Sequence, residues 1–301
     1  MSTSVPVVPP TVAETIKVGA KRTKDSVTSP WASVAVIVLA VLWTIPTFGL
    51  LVTSFRPAVQ IQKSGWWTIF ADPQFTLKNY EQVLDTESSG SSIFNNLVNS
   101  VVITIPAVVI PITIAILAAY AFAWIEFPFK NFLFVLIFAL QIVPIQVTLI
   151  PLLSLYVDAG LAGTFWTIWI SHSIFALPLA IFLFHNFMRD IPRELVEAAR
   201  VDGANHVRIF LSVMRPLLTP AIAAFAIFQF LWVWNDLLVA LVFAGGNAKP
   251  LTVTLQEQTR AFSSNIDVLA SGAFLSLIVP LIVFFSFQRY FVQGVLAGSV
   301  K

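Results

Sequence analysis

The densest run of charge in the chain lies between Phe187 and Leu217, and its residue types suit docking better than catalysis. Arg189, Asp190, Arg193, Glu194, Glu197, Arg200 and Asp202 alternate there with Ala198, Ala199, Gly203 and Ala204. On a helix, residues three and four apart are neighbours. Leu195, Ala198, Ala199 and Asp202 then share one face, and Arg193, Glu197 and Arg200 another. Pro192 suits a first helical turn. The two alanines favour helix and leave a flat surface that a partner can approach closely. Gly203 stands where a helix would end in the left-handed region. A second short helix is predicted from His206 to Val213, leading into Pro216. Such a pair can lie on a lipid surface or dock a soluble partner; small residues and mixed charge favour docking.

The remaining polar groups that could do chemistry fall in apolar surroundings. Asp236 is the one acid inside a candidate span, with Asn235 beside it, while Gln141 and Gln146 flank Pro144 in another. An unpaired acid in hydrocarbon costs several kcal/mol, so Asp236 must face the bundle or find a partner. Two roles fit these four residues: a polar clamp between helices, or contact with solute hydroxyls. Pro144 is expected to kink its helix and free carbonyls toward the interior. His172, His185 and His206 show no H-E-x-x-H spacing and read as packed or interfacial. Neither G-x-x-x-x-G-K-[ST] nor G-x-G-x-x-G occurs, and there is no cysteine. No catalytic residue and no metal site is therefore expected. The chain is not read as an enzyme, and any energy must come from a partner or an ion gradient.

The elements that carry these residues are membrane spans. Of the 301 residues 57% are hydrophobic and 11% charged, at a mean hydropathy of +0.86. A soluble chain averages about 25% charged residues, so lipid must be part of the solvent. The fold expected is an all-α integral membrane protein with six transmembrane helices. They run roughly over residues 31–53, 97–124, 132–155, 165–187, 217–243 and 269–287, each about the length that crosses the hydrocarbon. Of the 17 Lys and Arg, the outer loops would hold Arg56, Lys63, Lys78, Lys249 and Arg260, and the remainder fall inside. That bias puts both termini in the cytoplasm. The chain divides into a disordered, uncleaved cytoplasmic tail (1–30), a first span with a long outer loop (31–93), a five-span core (94–293) containing the charged loop 188–216, and a cytoplasmic tail (294–301). Trp66 and Trp67 are expected at the outer interface, the stretch Ser88–Ser92 reads as loop, and Ala119 with Ala123 has the small-xxx-small spacing of close helix packing.

The charged loop resembles the E-A-A loop of binding-protein-dependent ABC importer permeases. Glu197-Ala198-Ala199, three residues and Gly203 form its centre. The extended run Ile191-Pro192-x-Glu194-Leu195-x-Glu197-Ala198-Ala199-x-x-Asp202-Gly203-Ala204, with Phe210 and Pro216 downstream, is similar to the carbohydrate, maltose-type branch. Further likeness lies in Thr76-Leu77-x-Asn79-Tyr80, Asn99-Ser100, Ala118 to Ala123, Ile150-Pro151, Trp234-Asn235-Asp236 and Gln288 to Gly294. The resemblance covers about 70–301. Val213 stands where the family has Ile, and Arg215 where Leu precedes the proline.

The resemblance implies a coupling-helix loop between spans four and five that sits in a cleft of a cytoplasmic ATPase. Glu197 would pair with a basic group there, Ala198 and Ala199 would pack in the cleft, and Gly203 would supply the bend. The tail with Gly294, Gly298 and Lys301 would also touch the ATPase dimer. ATP and Mg would bind the partner ATPase, with no cofactor on this chain. The implied partners are a homologous second permease, two ATPase subunits, an extracytoplasmic solute-binding protein, a sugar and membrane lipid, with no nucleic acid. The implied location is the cytoplasmic (inner) membrane of a bacterium or archaeon. Ser64-Gly65-Trp66-Trp67 looks like permeases for glucose and α-glucosides. The competing reading is an ion-coupled secondary transporter, which would ordinarily show internal repeats and several buried charges.

Overall fold

A computed structural model describes residues 30–84, 93–261 and 266–299; the side chains of 258–261 and 289–299 are outside the description. The expected tail 1–30 lies outside the described residues, apart from Pro30, as do Ser88–Ser92 and Lys301. Twelve helices are named here in order: α1 (Pro30–Ser54), α2 (Ala58–Lys63), α3 (Lys78–Leu84), α4 (Ile93–Trp124), α5 (Lys130–Ala139), α6 (Ile145–Asp158), α7 (Phe165–Arg189), α8 (Arg193–Val201), α9 (His206–Trp234), α10 (Leu238–Phe243), α11 (Leu251–Ala261) and α12 (Ile266–Ser299).

Five of these helices, α1, α4, α7, α9 and the Ile266–Gln288 part of α12, are long and apolar enough to cross a membrane. The third expected span, 132–155, is a bent pair of helices. Lys130–Ile142 and Ile145–Asp158 meet at 101°, far more than the kink expected at Pro144. The cause is local: Pro144 disfavours helical backbone in the residue before it. Val143 (ψ 120°) and Pro144 (ψ 129°) are both extended, so the chain turns a corner there.

The fifth expected span, 217–243, also departs from expectation at both ends. Its helix begins at His206, so the predicted second short helix is the start of the span itself. Its first turn, His206–Ile209, passes into a π turn over Phe210–Met214. Pro216 and Pro220 each lack the N–H that would bond the preceding turn, which loosens the helix there. At the far end α9 stops at Trp234, and Leu238–Phe243 forms the separate α10. Residues 294–299, expected as a tail, continue α12 without a break.

The core is built on α4 and α7. Ala107, Ala115 and Ala119 of α4 and Ala176 and Ala180 of α7 are all buried. Small side chains let two backbones approach closely, and in lipid that contact matters more than apolar burial, because the tails are as apolar as the core. Phe184, Met188, Met214 and Leu218 fill the space toward α9. The helix α1 stands apart: Trp31 is 82% and Trp43 80% exposed, and its buried residues are Gly49, Val52 and Ser54 at one end. A helix apolar all round suits contact with lipid or another membrane subunit.

Candidate functional site

The functional candidates fall at opposite ends of this bundle. At one end α4 finishes, α5 starts, α7 finishes, and α8 bridges to α9. Pro192, extended at ψ 132°, ends the chain's exit from α7 and sits just before α8. Gly203 has φ +77°, and nothing lies within 4 Å of a Cβ placed there. Its role is therefore conformational: it reverses the chain between α8 and α9, as its position predicted. Asn205 then caps α9, its side chain accepting from the Arg208 N–H at 2.9 Å.

The helix α8 is fixed to the bundle by one fully buried residue, Val196, at 2% exposure. Val196 was not singled out from sequence; its signal was an apolar residue three before Ala199. Ala199 is half-buried and packs beside it on the same core, together with Ala204 and Phe210. Glu194, Leu195, Glu197, Ala198 and Asp202 are exposed. The two alanines are thus split: Ala198 faces out and Ala199 leans inward. Phe210 is held by Tyr120 of α4, ring centroids 5.5 Å apart, and the Tyr120 hydroxyl lies 2.9 Å from His206 Nδ1. Pro216 is exposed on α9, as is Arg215.

At the other end Asp236 acts as a helix cap. Its carboxylate accepts from the N–H groups of Val239 (3.4 Å) and Ala240 (3.0 Å), opening α10. His172 Nε2 of α7 is 3.8 Å from Oδ2 of Asp236. The backbone carbonyl of Asp236 accepts from Thr252 Oγ1 at 2.8 Å. Asn235 donates to the Leu231 carbonyl of its own helix. Around them run further bonds between elements: Asn99 Nδ2 to the carbonyls of Asn247 and Lys249, the Leu251 N–H to Ser100 Oγ, and Asn96 Nδ2 to Thr254 Oγ1. This arrangement has the geometry of a clamp between α4, α7, α10 and α11.

Gln141 and Gln146 are elsewhere. They line a groove of about 910 Å³ between the corner of the broken span, α7 and α9, opposite Phe228, Gln229 and Trp232. Asn235 and Asp236 do not line it; Asp236 borders a small closed void with Ser100, Thr104 and His172. The four polar residues grouped in the sequence are therefore two sets.

The sequence motif Thr76-Leu77-x-Asn79-Tyr80 closes the end of α1. Asn79 Nδ2 donates to the carbonyls of Ser54 and Arg56, both at 2.9 Å, and Tyr80 OH meets Ser54 Oγ at 2.7 Å. These are carbonyls that a helix end leaves open. Arg56, 3% exposed, donates to the carbonyls of Gln60 and Ser64 and to the hydroxyls of Ser64 and Thr68.

A multi-pass helical membrane core, with one amphipathic helix set between two spans, is the architecture of a transport permease. The chain belongs to the family described as binding-protein-dependent transport system inner membrane component, whose model matches residues 111–297. It is a multi-pass protein of the inner membrane. It is 50% identical to the osmoprotective compounds uptake permease protein GgtD of Synechocystis sp., over 89% of this chain and 91% of that one. It is 36% identical to the alpha-glucoside transport system permease protein AglG of Rhizobium meliloti, over 90% and 97%. Among solved structures, a chain of a bacterial ABC transporter involved in import of the acidic polysaccharide alginate matches at a TM-score of 0.76. It is 22% identical, over 89% of this chain and 98% of that chain.

Proposed function

We propose that this chain is one of two membrane subunits of an ATP-driven, binding-protein-dependent importer, forming half the path for a sugar or sugar-like polyhydroxylated solute of the α-glucoside type. The observation that carries the reading is α8. It is anchored through Val196 while Glu194, Glu197, Ala198 and Asp202 remain exposed, a surface suited to docking in a cleft. The α8 end faces the cytoplasm, where an ATPase subunit receives this helix. Closure of an ATPase dimer on ATP and Mg then moves α8, and α9 carries the motion into the bundle through its continuous helix. Glu197 pairs with a basic group of the ATPase.

A second, homologous permease completes the path. The groove at Gln141 and Gln146 is open on one side and mostly apolar, and the broken span turns its corner there. These features suit a face that meets another membrane chain. Asp236 holds the opposite end together. The solute class is supported by the names of two relatives, one for osmoprotective compounds and one for alpha-glucosides. A solute-binding protein delivers it at the Asp236 end.

The test is purification of tagged chain from gently solubilised membranes, beside a Gly203→Pro variant. Wild type should bring down an ATPase and a second permease, and the variant should keep the permease and lose the ATPase. Reconstituted with the binding protein, the assembly should hydrolyse ATP faster with an α-glucoside such as trehalose. A chain that purifies alone, or a variant that keeps its ATPase, would falsify the docking role.

A further inference from the structure

At the α8 end lies a second cavity, of about 660 Å³, walled by the end of α4, the start of α5, the end of α7 and α8. Its lining is cationic. Lys130, Arg189, Arg193 and Arg200 all contribute, against the two carboxylates Glu126 and Glu197. Glu126 is committed to Lys130, at 3.1 Å. Arg189, Arg193 and Arg200 have no carboxylate within 4 Å among the described residues. Three guanidiniums around one cavity repel each other unless an anion joins them.

The position suits an anion held at the membrane edge. Two helices that cross the membrane end here and the broken span begins here, and Phe129 and Phe132 stand exposed beside the opening. Exposed apolar rings beside the end of a span suit contact with lipid.

We propose that this cavity binds a phosphate group, most directly that of an anionic lipid headgroup, whose oxygens bridge Arg189 and Arg193. Arginine's planar fork matches phosphate oxygens in pairs. The ligand ties α8 to α5 and α7 and sets how freely α8 moves. The site is independent of which solute is carried.

The full chain, with whatever subunits co-purify, is examined by native mass spectrometry after titration with phosphatidylglycerol or phosphatidylcholine. Wild type should hold one phosphatidylglycerol in preference to phosphatidylcholine. The double variant Arg189→Gln/Arg193→Gln should hold it roughly a hundredfold more weakly, the loss of two charge-assisted contacts at about tenfold each. Arg189→Lys should retain it, and Lys249→Gln at the opposite end should change nothing. Displacement of the lipid by millimolar inorganic phosphate would assign the site to free phosphate compounds; persistence would assign it to the lipid. Equal retention by wild type and the double variant overturns the proposal. So does a double variant that loses only its ATPase, which would give the arginines to carboxylates of that partner.

Discussion

The hydroxyl of Tyr120 and Nδ1 of His206 lie 2.9 Å apart, joining the last turns of α4 to the first turn of α9. Tyr120 also holds Phe210, so one side chain of the central helix fixes the base of the segment that follows α8. Movement of α8 carried through Gly203 into α9 therefore reaches α4 at this contact.

The first prediction concerns that joint. Tyr120→Phe removes the hydroxyl and keeps the ring, and should lower stability by about 1 kcal/mol, the net worth of one hydrogen bond. Tyr120→Ala also leaves a void beside Phe210 and should cost about 3–5 kcal/mol. Thermal unfolding in detergent compares them. Equal melting temperatures for wild type and Tyr120→Ala would show that the joint does not hold the bundle.

Gly203 offers a test of conformation without crowding. With φ +77° and open space around it, Gly203→Ala should cost about 1–2 kcal/mol through backbone strain alone. Gly203→Asn should cost less, since Asn tolerates the left-handed region. ATPase retention on purification should rank Gly, Asn, Ala. A ranking that follows side-chain volume instead would mean that a partner surface contacts this position.

Asp236 separates a clamp from a solute contact. Asp236→Ala leaves the N–H groups of Val239 and Ala240 unbonded and should cost about 1–3 kcal/mol. Asp236→Asn keeps one of the two acceptor oxygens, so it should cost less than Asp236→Ala and leave the half-saturating solute concentration for uptake unchanged. A large rise in that concentration with unchanged stability would place Asp236 in the path instead.

Arg56 tests how the segment after α1 is built. Its guanidinium is buried with four oxygen acceptors, a fork that lysine's point charge cannot match. Arg56→Lys should loosen residues 56–76 by about 2 kcal/mol and speed limited proteolysis there. Unchanged cleavage would show that the segment is held by Asn79 and Tyr80 alone.

Composition and charge-free intervals by themselves determined that the chain is helical and lives in a membrane, because hydrocarbon tolerates so few unsatisfied backbone groups. The loop around Glu197 and Gly203 was legible for a related reason: Pro192, two alanines and a glycine act locally, within one helical turn. Tertiary structure decided what depends on distant partners. Pro144 signalled a disturbance in sequence and turns the chain locally, but that the corner reaches 101° with both halves against α7 was visible only in the structure. Asp236 looked like a companion of Gln141 and Gln146, since all are polar residues in apolar runs. Its place was settled by the backbone N–H groups of α10 and by His172, from another helix. Val196 became the anchor of α8, and Ala199 turned inward, because the core offered by α4, α7 and α9 fixes the helix's rotation. Periodicity sets which residues share a face; only the surface they meet decides which face is buried.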